Sequence, residues 1–351
     1  MVVKMQNSLK NRIIIYMKTR NIFPVLILVL LLSCSCFVPA ESLSILSYNV
    51  QNLFDDVADG GEYHNYNPES GQWGSETFQN KLNNLAEVIR ETDADIVLLF
   101  EVENQNCIDS LVRFYLPTRG YRFNYCLDQE NSNINSAVIS RIPVNKVKTH
   151  RLELGRSILR NINEVFFEYR GIEFEIILNH WKSKLGGDEE TEEKRKLSAQ
   201  TVRRLIQNNP LPVIVAGDLN EDLYEFKKQE FRYPTALVSK KNLHRIPQEE
   251  RNRCLVFSEN KEEVKGDVLY SIWSELPPEK GSYFYSSEWE KIDHIFVNEP
   301  IIDPTQKPNL IRCEIPEYDF MVNRNGKPRS FSTKTFTGVS DHFPLLIELE
   351  F

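Results

Sequence analysis

Runs of apolar residues recur along the chain, and several of them stop abruptly on a polar side chain. Strand-like runs cover 43–48, 95–100, 135–140, 164–169, 172–178, 212–217, 292–297 and 343–349, and many are rich in Val, Ile, Leu and Phe. Arg170-Gly171 sits between two of these runs and predicts a hairpin. Helical spacing appears twice. Phe78, Leu82, Leu85 and Ile89 follow a 4-3-4 pattern, and Ala199, Val202 and Ile206 mark a second helix in a stretch that begins near Glu189. Each helix precedes a strong strand. Strands with helices between them predict an α/β class, with two packed mixed sheets and helices outside. Residues 226–265 are charged and without a clear period, and they read as a surface insertion.

The ends of the apolar runs carry the candidate chemistry. One run ends at Ser47-Tyr48-Asn49, another at Phe100-Glu101, a third at Asn179-His180 and a fourth at Gly217-Asp218-Leu219-Asn220. Asp341-His342 opens the last strand. Strands that stop on a carboxylate, amide or imidazole commonly build a site at one rim of a sheet.

The first 40 residues are different in kind. Lys4, Lys10, Arg12, Lys18 and Arg20 stand there without an acid, ahead of the ten-residue apolar run Phe23 to Leu32. That run is too short to span a bilayer and suits the core of a signal peptide. Leu31-Leu32-Ser33-Cys34 resembles a bacterial lipobox, with a lipid anchor on Cys34, and Val38-Pro39-Ala40 resembles an ordinary cleavage site. The lipobox is the preferred exit. The expectation is a signal peptide over 1–40, one α/β domain over 41–351, and a location outside the cytoplasm, either secreted or anchored at the cell envelope. The 42 Lys and Arg against 50 Asp and Glu give a net charge of −8, and losing five cations with the leader makes it −13. So acidic a surface argues against a broad electrostatic footprint for nucleic acid, but not against a local basic patch with a bound metal. Cys107, Cys126, Cys254 and Cys313 remain in the exported part, and export would permit disulfides among them.

Hydrolysis of a phosphate ester needs a hard cation, an activated water and a stabilised leaving oxygen. Glu101, Asp341 and Asn49 have the oxygen donors that Mg²⁺ prefers. Asp218 with Asn220 suits water activation beside phosphate-binding donors. Asp293 with His342 suits a histidine held by an acid, and His180 supplies a second imidazole.

In family order, the motifs Ser47-Tyr48-Asn49-Val50-Gln51-Asn52, Phe100-Glu101-Val102-Glu103-Asn104, Ser140-Arg141-Ile142-Pro143, Asn179-His180-Trp181-Lys182-Ser183-Lys184, Gly217-Asp218-Leu219-Asn220, Trp289-Glu290-Lys291-Ile292-Asp293-His294 and Ser340-Asp341-His342 resemble those of the endonuclease/exonuclease/phosphatase superfamily, the pancreatic deoxyribonuclease-like fold. The resemblance runs from about Ser44 to Phe351. It implies a four-layer α/β sandwich, Mg²⁺ or Mn²⁺ as cofactor, and a site where the two sheets meet. It implies metal ligation by Asn49, Glu101 and Asp341, and catalysis by His180, Asp218, Asn220, Asp293 and His342, with Asp293 fixing the tautomer of His342. Contacts to substrate are expected from Asn49, Arg141, Lys182 and Arg329. Which histidine is the acid stays open, and no carboxylate partner for His180 is evident among Tyr121, Tyr125 and Asp128.

Other features have a plainer reading beside the functional one. His294 adjoins Asp293 and faces the other way in a strand, so it reads as structural. Tyr283, Phe284, Tyr285 and Trp289 read as packing or as a stacking surface. The basic segment Arg324–Lys334 reads as a solvated loop or a phosphate contact. Arg195 lies in a charge run and reads as a solvated helix face. The expected function is an exported, metal-dependent phosphodiesterase, monomeric, acting on nucleic acid. The alternatives are a phospholipid or sphingomyelin phosphodiesterase and a non-catalytic surface binding protein.

Overall fold

A computed structural model describes residues 41–69, 71–127 and 132–351. The expected signal peptide, the anchor at Cys34 and the candidate Asp128 lie outside the described residues. The strands are, in chain order, β1 (Ser42–Leu53), β2 (Ile96–Val102), β3 (Phe123–Leu127), β4 (Asn135–Ser140), β5 (Val144–Leu154), β6 (Ser157–Tyr169), β7 (Ile172–His180), β8 (Val213–Asp218), β9 (Leu237–Ser239), β10 (Leu255–Ser258), β11 (Val268–Ser271), β12 (Tyr283–Tyr285), β13 (Glu288–Glu290), β14 (Asp293–Val297), β15 (Asn309–Glu314) and β16 (Leu345–Glu350). The main helices are α1 (Ser75–Thr92), α2 (Gln105–Ser110) and α3 (Asp188–Ile206).

Two mixed sheets carry the fold. One runs β15-β16-β1-β2-β4-β3 and the other β5-β6-β7-β8-β14-β11-β10-β9. In β2, the apolar run is buried on both faces because both are covered. Ile96, Leu98 and Phe100 pack with Ile176, Leu178, Val215 and Ile295 of the second sheet. Val97 and Leu99 turn the other way, onto Phe78, Leu82, Leu85 and Ile89 of α1. Helix α3 lies against β5, β6 and β10 on the outside of the second sheet. The result is the expected α/β sandwich: helix, sheet, sheet, helix.

Two expectations are corrected. Residues 226–265 are not a surface insertion. They supply β9 and β10, which extend the eight-stranded sheet, and Leu237, Leu255 and Phe257 are core residues. Arg195 is not solvated. It is fully buried, paired to Glu192 at 2.6 Å and to Glu221 at 2.7 Å, and it also donates to the backbone oxygens of Lys182 and Asp188. Among the described residues, Cys107, Cys254 and Cys313 are free thiols.

Candidate active site

Strand register does most of the assembly. His180 at the end of β7 pairs in register with Asp218 at the end of β8, which pairs with Asp293 at the start of β14. Residues at one level of adjacent strands project from the same face, so the three side chains stand in a row. Gly217 makes this row tight. Its φ of +139° and the 1.8 Å that would separate a Cβ from the Asn179 carbonyl leave room only for glycine.

The other sheet contributes through a bulge. The pairing of β1 with β2 shifts between Asn49 and Leu53, and Gln51 and Asn52 take left-handed backbone angles. Glu101 is also left-handed, with φ of +68°, a strained conformation for a glutamate. The bend lets the Asn52 N–H donate to Glu101 Oε2 at 2.9 Å. Asn49 bridges the sheets: its Nδ2 donates to Glu101 Oε1 at 3.1 Å and to Asp218 Oδ2 at 2.9 Å. His180 Nε2 lies 3.8 Å from each of those same two oxygens.

Beside this cluster, Asp293 Oδ2 meets His342 Nδ1 at 2.7 Å with both side chains buried. The Ser340 hydroxyl accepts from the His342 N–H and donates to the Asn49 carbonyl, which ties the last loop to β1. Asp341 Oδ1 is 3.8 Å from His342 Nε2. An open cleft of about 590 Å³ gives access, lined by Glu101, Asp218, Asn220, Asp341 and His342, with Tyr283, Tyr285, Lys184, Asp188 and Glu290 among its walls.

The electrostatics separate the two histidines. Burial pushes the His180 pKa well below its usual value, helped by the charges of Arg160 and His342. Its Nδ1 is buried, and Asn135, Ser136, Arg160, Asn161 and Asn163 line the small pocket beside it; among the described residues no carboxylate backs this ring. Burial would also lower His342, but the charge and hydrogen bond of Asp293, with Asp341 and Asp218 behind, raise it well above the usual value. Burial, with the nearby charge of Asp293, pushes Asp218 up to about 7. Asp218 Oδ1 accepts from the Asn220 N–H at 2.8 Å, and Asn220 Nδ2 is 3.2 Å from the Trp181 carbonyl.

The sequence model of the Endonuclease/Exonuclease/phosphatase family matches residues 44–232 and 242–351. The chain belongs to this family. Members of the family are hydrolases of phosphoester bonds and generally use divalent metals. A search of curated proteins found no match. Among solved structures, the fold is similar to an endonuclease/exonuclease/phosphatase family protein from Bacteroides thetaiotaomicron, with TM-score 0.54 and 17% identity over 89% of this chain and 98% of that one. It is also similar to D. rerio TDP2 complexed with single strand DNA product, with TM-score 0.53 and 14% identity over 89% and 100%. A third likeness is the mannosyl-6-phosphatase Bt3783 of Bacteroides thetaiotaomicron VPI-5482, with TM-score 0.50 and 17% identity over 88% and 100%.

The donor set fits the divalent ion of the family. Glu101, Asp218 and Asp341 offer hard oxygen ligands to one cleft, and no lysine or arginine pairs with them among the described residues. Asn49 is the exception among the expected ligands. Its Oδ1 accepts from the Gln51 N–H at 3.0 Å, so it presents an NH₂ group, which suits a phosphoryl oxygen and not a cation.

Other expected contacts lie elsewhere. Arg141 follows β4, which runs antiparallel to β2 and pairs Ser140 with Ile96, five residues from Glu101. That is roughly 16 Å along the strand. There Arg141 pairs with Asp95 at 3.0 Å and with Asp93, and Tyr121 donates to the Ala94 carbonyl at the same end. The expectation that Arg141 binds substrate is therefore corrected to a structural role. Lys182 Nζ is tied to the carbonyls of Ser183 and Leu185 in its own loop. Arg329 is exposed, bonded to Thr337, and outside the cleft lining. Lys327 sits over the rings of Phe284 and Trp289, at 4.1 and 4.0 Å. His294 turns to the Glu221 carbonyl, away from the cleft. Sequence reasoning missed Tyr283 as a neighbour of His342, ring to ring at 4.7 Å, and Arg160, whose charge acts on His180. Neither lies in a motif that would have signalled it.

Proposed function

We propose that the chain is an exported, divalent-metal-dependent phosphodiesterase that acts on single-stranded or frayed nucleic acid. The observation that carries the reading is the pairing of a cation-ready carboxylate cluster with a buried His342–Asp293 dyad in one open cleft. The ion would be held by Glu101 and Asp341, with Asp218 near, and would neutralise charge on the phosphoryl group.

The chain's own groups divide the remaining work. Asn220 offers an NH₂ donor to a phosphoryl oxygen, and Asn49, whose NH₂ donates to Glu101 and Asp218, would turn one of those bonds to a second phosphoryl oxygen when substrate enters. Asp218, its carboxylate poised near neutrality, takes a proton from a water in the cleft that it lines. His342, kept protonated by Asp293, gives its Nε2 proton to the leaving oxygen. His180, held neutral, orients a phosphoryl oxygen and does not deliver a proton. Tyr283 and Tyr285 are stacked at the cleft wall, and Tyr285 is 60% exposed, a surface on which a base can lie. Among the described residues the cleft lining is acidic apart from Lys184, which suits a short single strand better than a long duplex.

Asp188 and Glu290 at the cleft wall can accept hydrogen bonds from sugar hydroxyls, which favours a second reading, a sugar phosphate monoester, the kind of substrate named for the similar mannosyl-6-phosphatase. The deciding experiment gives the purified protein Mg²⁺ or Mn²⁺ with single-stranded DNA, plasmid DNA, sphingomyelin and mannose 6-phosphate in parallel. Asp218→Asn is the blank. DNA cleavage lost in the blank supports the first reading. Turnover of the monoester alone replaces it with the second. No turnover of any phosphoester refutes enzymatic function on these substrates.

A further inference from the structure

The loop between β1 and α1 gathers acids that the catalytic cleft does not use. Asp55, Asp59 and Glu62 come from this loop, and Glu103 reaches them from just past the end of β2. One oxygen each from Asp59, Glu62 and Glu103 lies within 4.8 Å of the others, and Asp55 and the Cys107 thiol meet Glu103 within the same limit. Glu103 is the telling member. It is 8% exposed, its Oε2 accepts the Asp55 N–H at 2.7 Å, and its Oε1 is buried with no hydrogen-bond partner. A buried carboxylate oxygen is expensive unless something satisfies it. No lysine or arginine pairs with any of the four acids among the described residues.

The surrounding bonds say which groups remain free to ligate. Asp55 Oδ2 is held by the amides of Asn104 and Asn106, and its Oδ1 by the Val57 N–H. It therefore orients Glu103 through its own N–H. Cys107 donates its thiol proton to the Leu53 carbonyl at 3.4 Å, so it is no thiolate ligand. What is left is an all-oxygen set: the unpartnered Glu103 Oε1, Asp59, whose Oδ1 accepts the Gly61 N–H, and Glu62, whose oxygens accept the Asp59 and Gly60 N–H groups and keep further lone pairs. Two oxygens on opposite sides of a Ca²⁺ ion stand about 5 Å apart, against about 4 Å for Mg²⁺, which also demands a near-ideal octahedron. An irregular loop with mixed carboxylates suits the larger ion, which tolerates a flexible and uneven shell.

We propose that Asp59, Glu62 and Glu103 form a second divalent-cation site, of Ca²⁺ type, that pins the 55–73 loop to the end of β2. Asp59 is exposed, so water completes the coordination. The loop carries Tyr66 and Trp73, which line a second cavity of about 550 Å³ together with Gln51, Lys81 and Phe331. The ion thereby orders one wall of that cavity and steadies the chain two residues beyond Glu101. The proposal is independent of the substrate.

The test is calorimetric titration of CaCl₂ into the chelator-treated full chain, with thermal melts in parallel. Asp59→Asn/Glu62→Gln changes the loop ligands, and Glu101→Gln disables the catalytic cleft instead. The wild type should bind one Ca²⁺ outside the cleft and melt roughly 4 °C higher at 100-fold excess over Kd. The double variant should lose both effects, and Glu101→Gln should keep both. Asp59→Asn alone, at an exposed position, should weaken Ca²⁺ binding at least tenfold, which keeps the test decisive should the double variant fold poorly. Absence of Ca²⁺ binding in the wild type would overturn the site, as would binding unchanged in the loop variants or lost in Glu101→Gln.

Discussion

Asp293→Asn isolates the division of labour between the two histidines. The substitution keeps the shape of the side chain and removes the charge that lies 2.7 Å from His342 Nδ1, where the two side chains are 3% and 7% exposed. An opposite charge at such range raises a histidine pKa by about 1–3 units, or roughly 1.4–4 kcal/mol. Asp341 and Asp218 still face the ring, so its pKa should fall only part of the way back. An acid works only while protonated, so activity falls as pH rises through its pKa. In the wild type that falling limb stands at high pH, because His342 is raised. In the variant the limb moves to lower pH. At pH 8 the rate should then drop on the order of 10²–10³-fold. Towards acidic pH the imidazole regains its proton and the deficit should shrink to a roughly tenfold loss of orientation. The assay is kcat/KM against pH for both proteins on one diester. A deficit that is the same at every pH, or a limb that does not move, would refute His342 as the acid.

Glu101→Gln should raise the Mg²⁺ concentration needed for half-maximal activity by at least roughly tenfold, measured by metal titration. An unchanged titration would remove Glu101 as a ligand. Arg195→Met leaves Glu192 and Glu221 buried without their cation, and urea melts should show a loss of about 3–5 kcal/mol. A loss under about 1 kcal/mol would mean the two acids are neutral in the fold. Arg141→Ala should keep kcat/KM within about threefold and lower stability by about 1 kcal/mol, the usual worth of a half-exposed ion pair. A large fall in kcat/KM without unfolding would return Arg141 to the substrate.

Strands β2 and β8 were legible because both faces are covered, which turns them into unbroken apolar runs, and β7 because its run Ile176–Leu178 is buried in the same way. Helix α1 was legible from Phe78, Leu82, Leu85 and Ile89, one buried stripe. Strand β5 was not, because Val144–Leu154 is largely exposed and reads Val-Asn-Lys-Val-Lys-Thr-His-Arg. The short β9 to β11 were hidden by the charged turns between them. Arg195 misled because its decisive partner, Glu221, is 26 residues away, and a charge run shows only its local neighbours. Arg141 misled in another way. Its motif was visible, but the direction of its strand was not, and an antiparallel β4 carries it to the far end of β2. The residues of the cleft were legible because each ends an apolar strand. The acids of the Asp55–Glu62 loop have no such marker, and only the fold brings Glu103 to them.

The cleft as built has a charge problem that bears on how it must work. Glu101 and Asp218 converge on one Asn49 amide, and Asp341 lines the same space. A phosphoryl group entering there is itself anionic. At about 4 Å and an effective dielectric near 20, each like pair costs about 4 kcal/mol. The neutral donors of Asn49 and Asn220 return only about 1 kcal/mol each. The His342–Asp293 pair is close to neutral as a unit, and His180 is uncharged. Lys184 lines the cleft but is already paired with Glu225 at 2.6 Å. Among the described residues the cleft lining thus offers a phosphate no unpaired cation, and the carboxylates that repel it are the groups that would hold a positive charge brought from outside the chain.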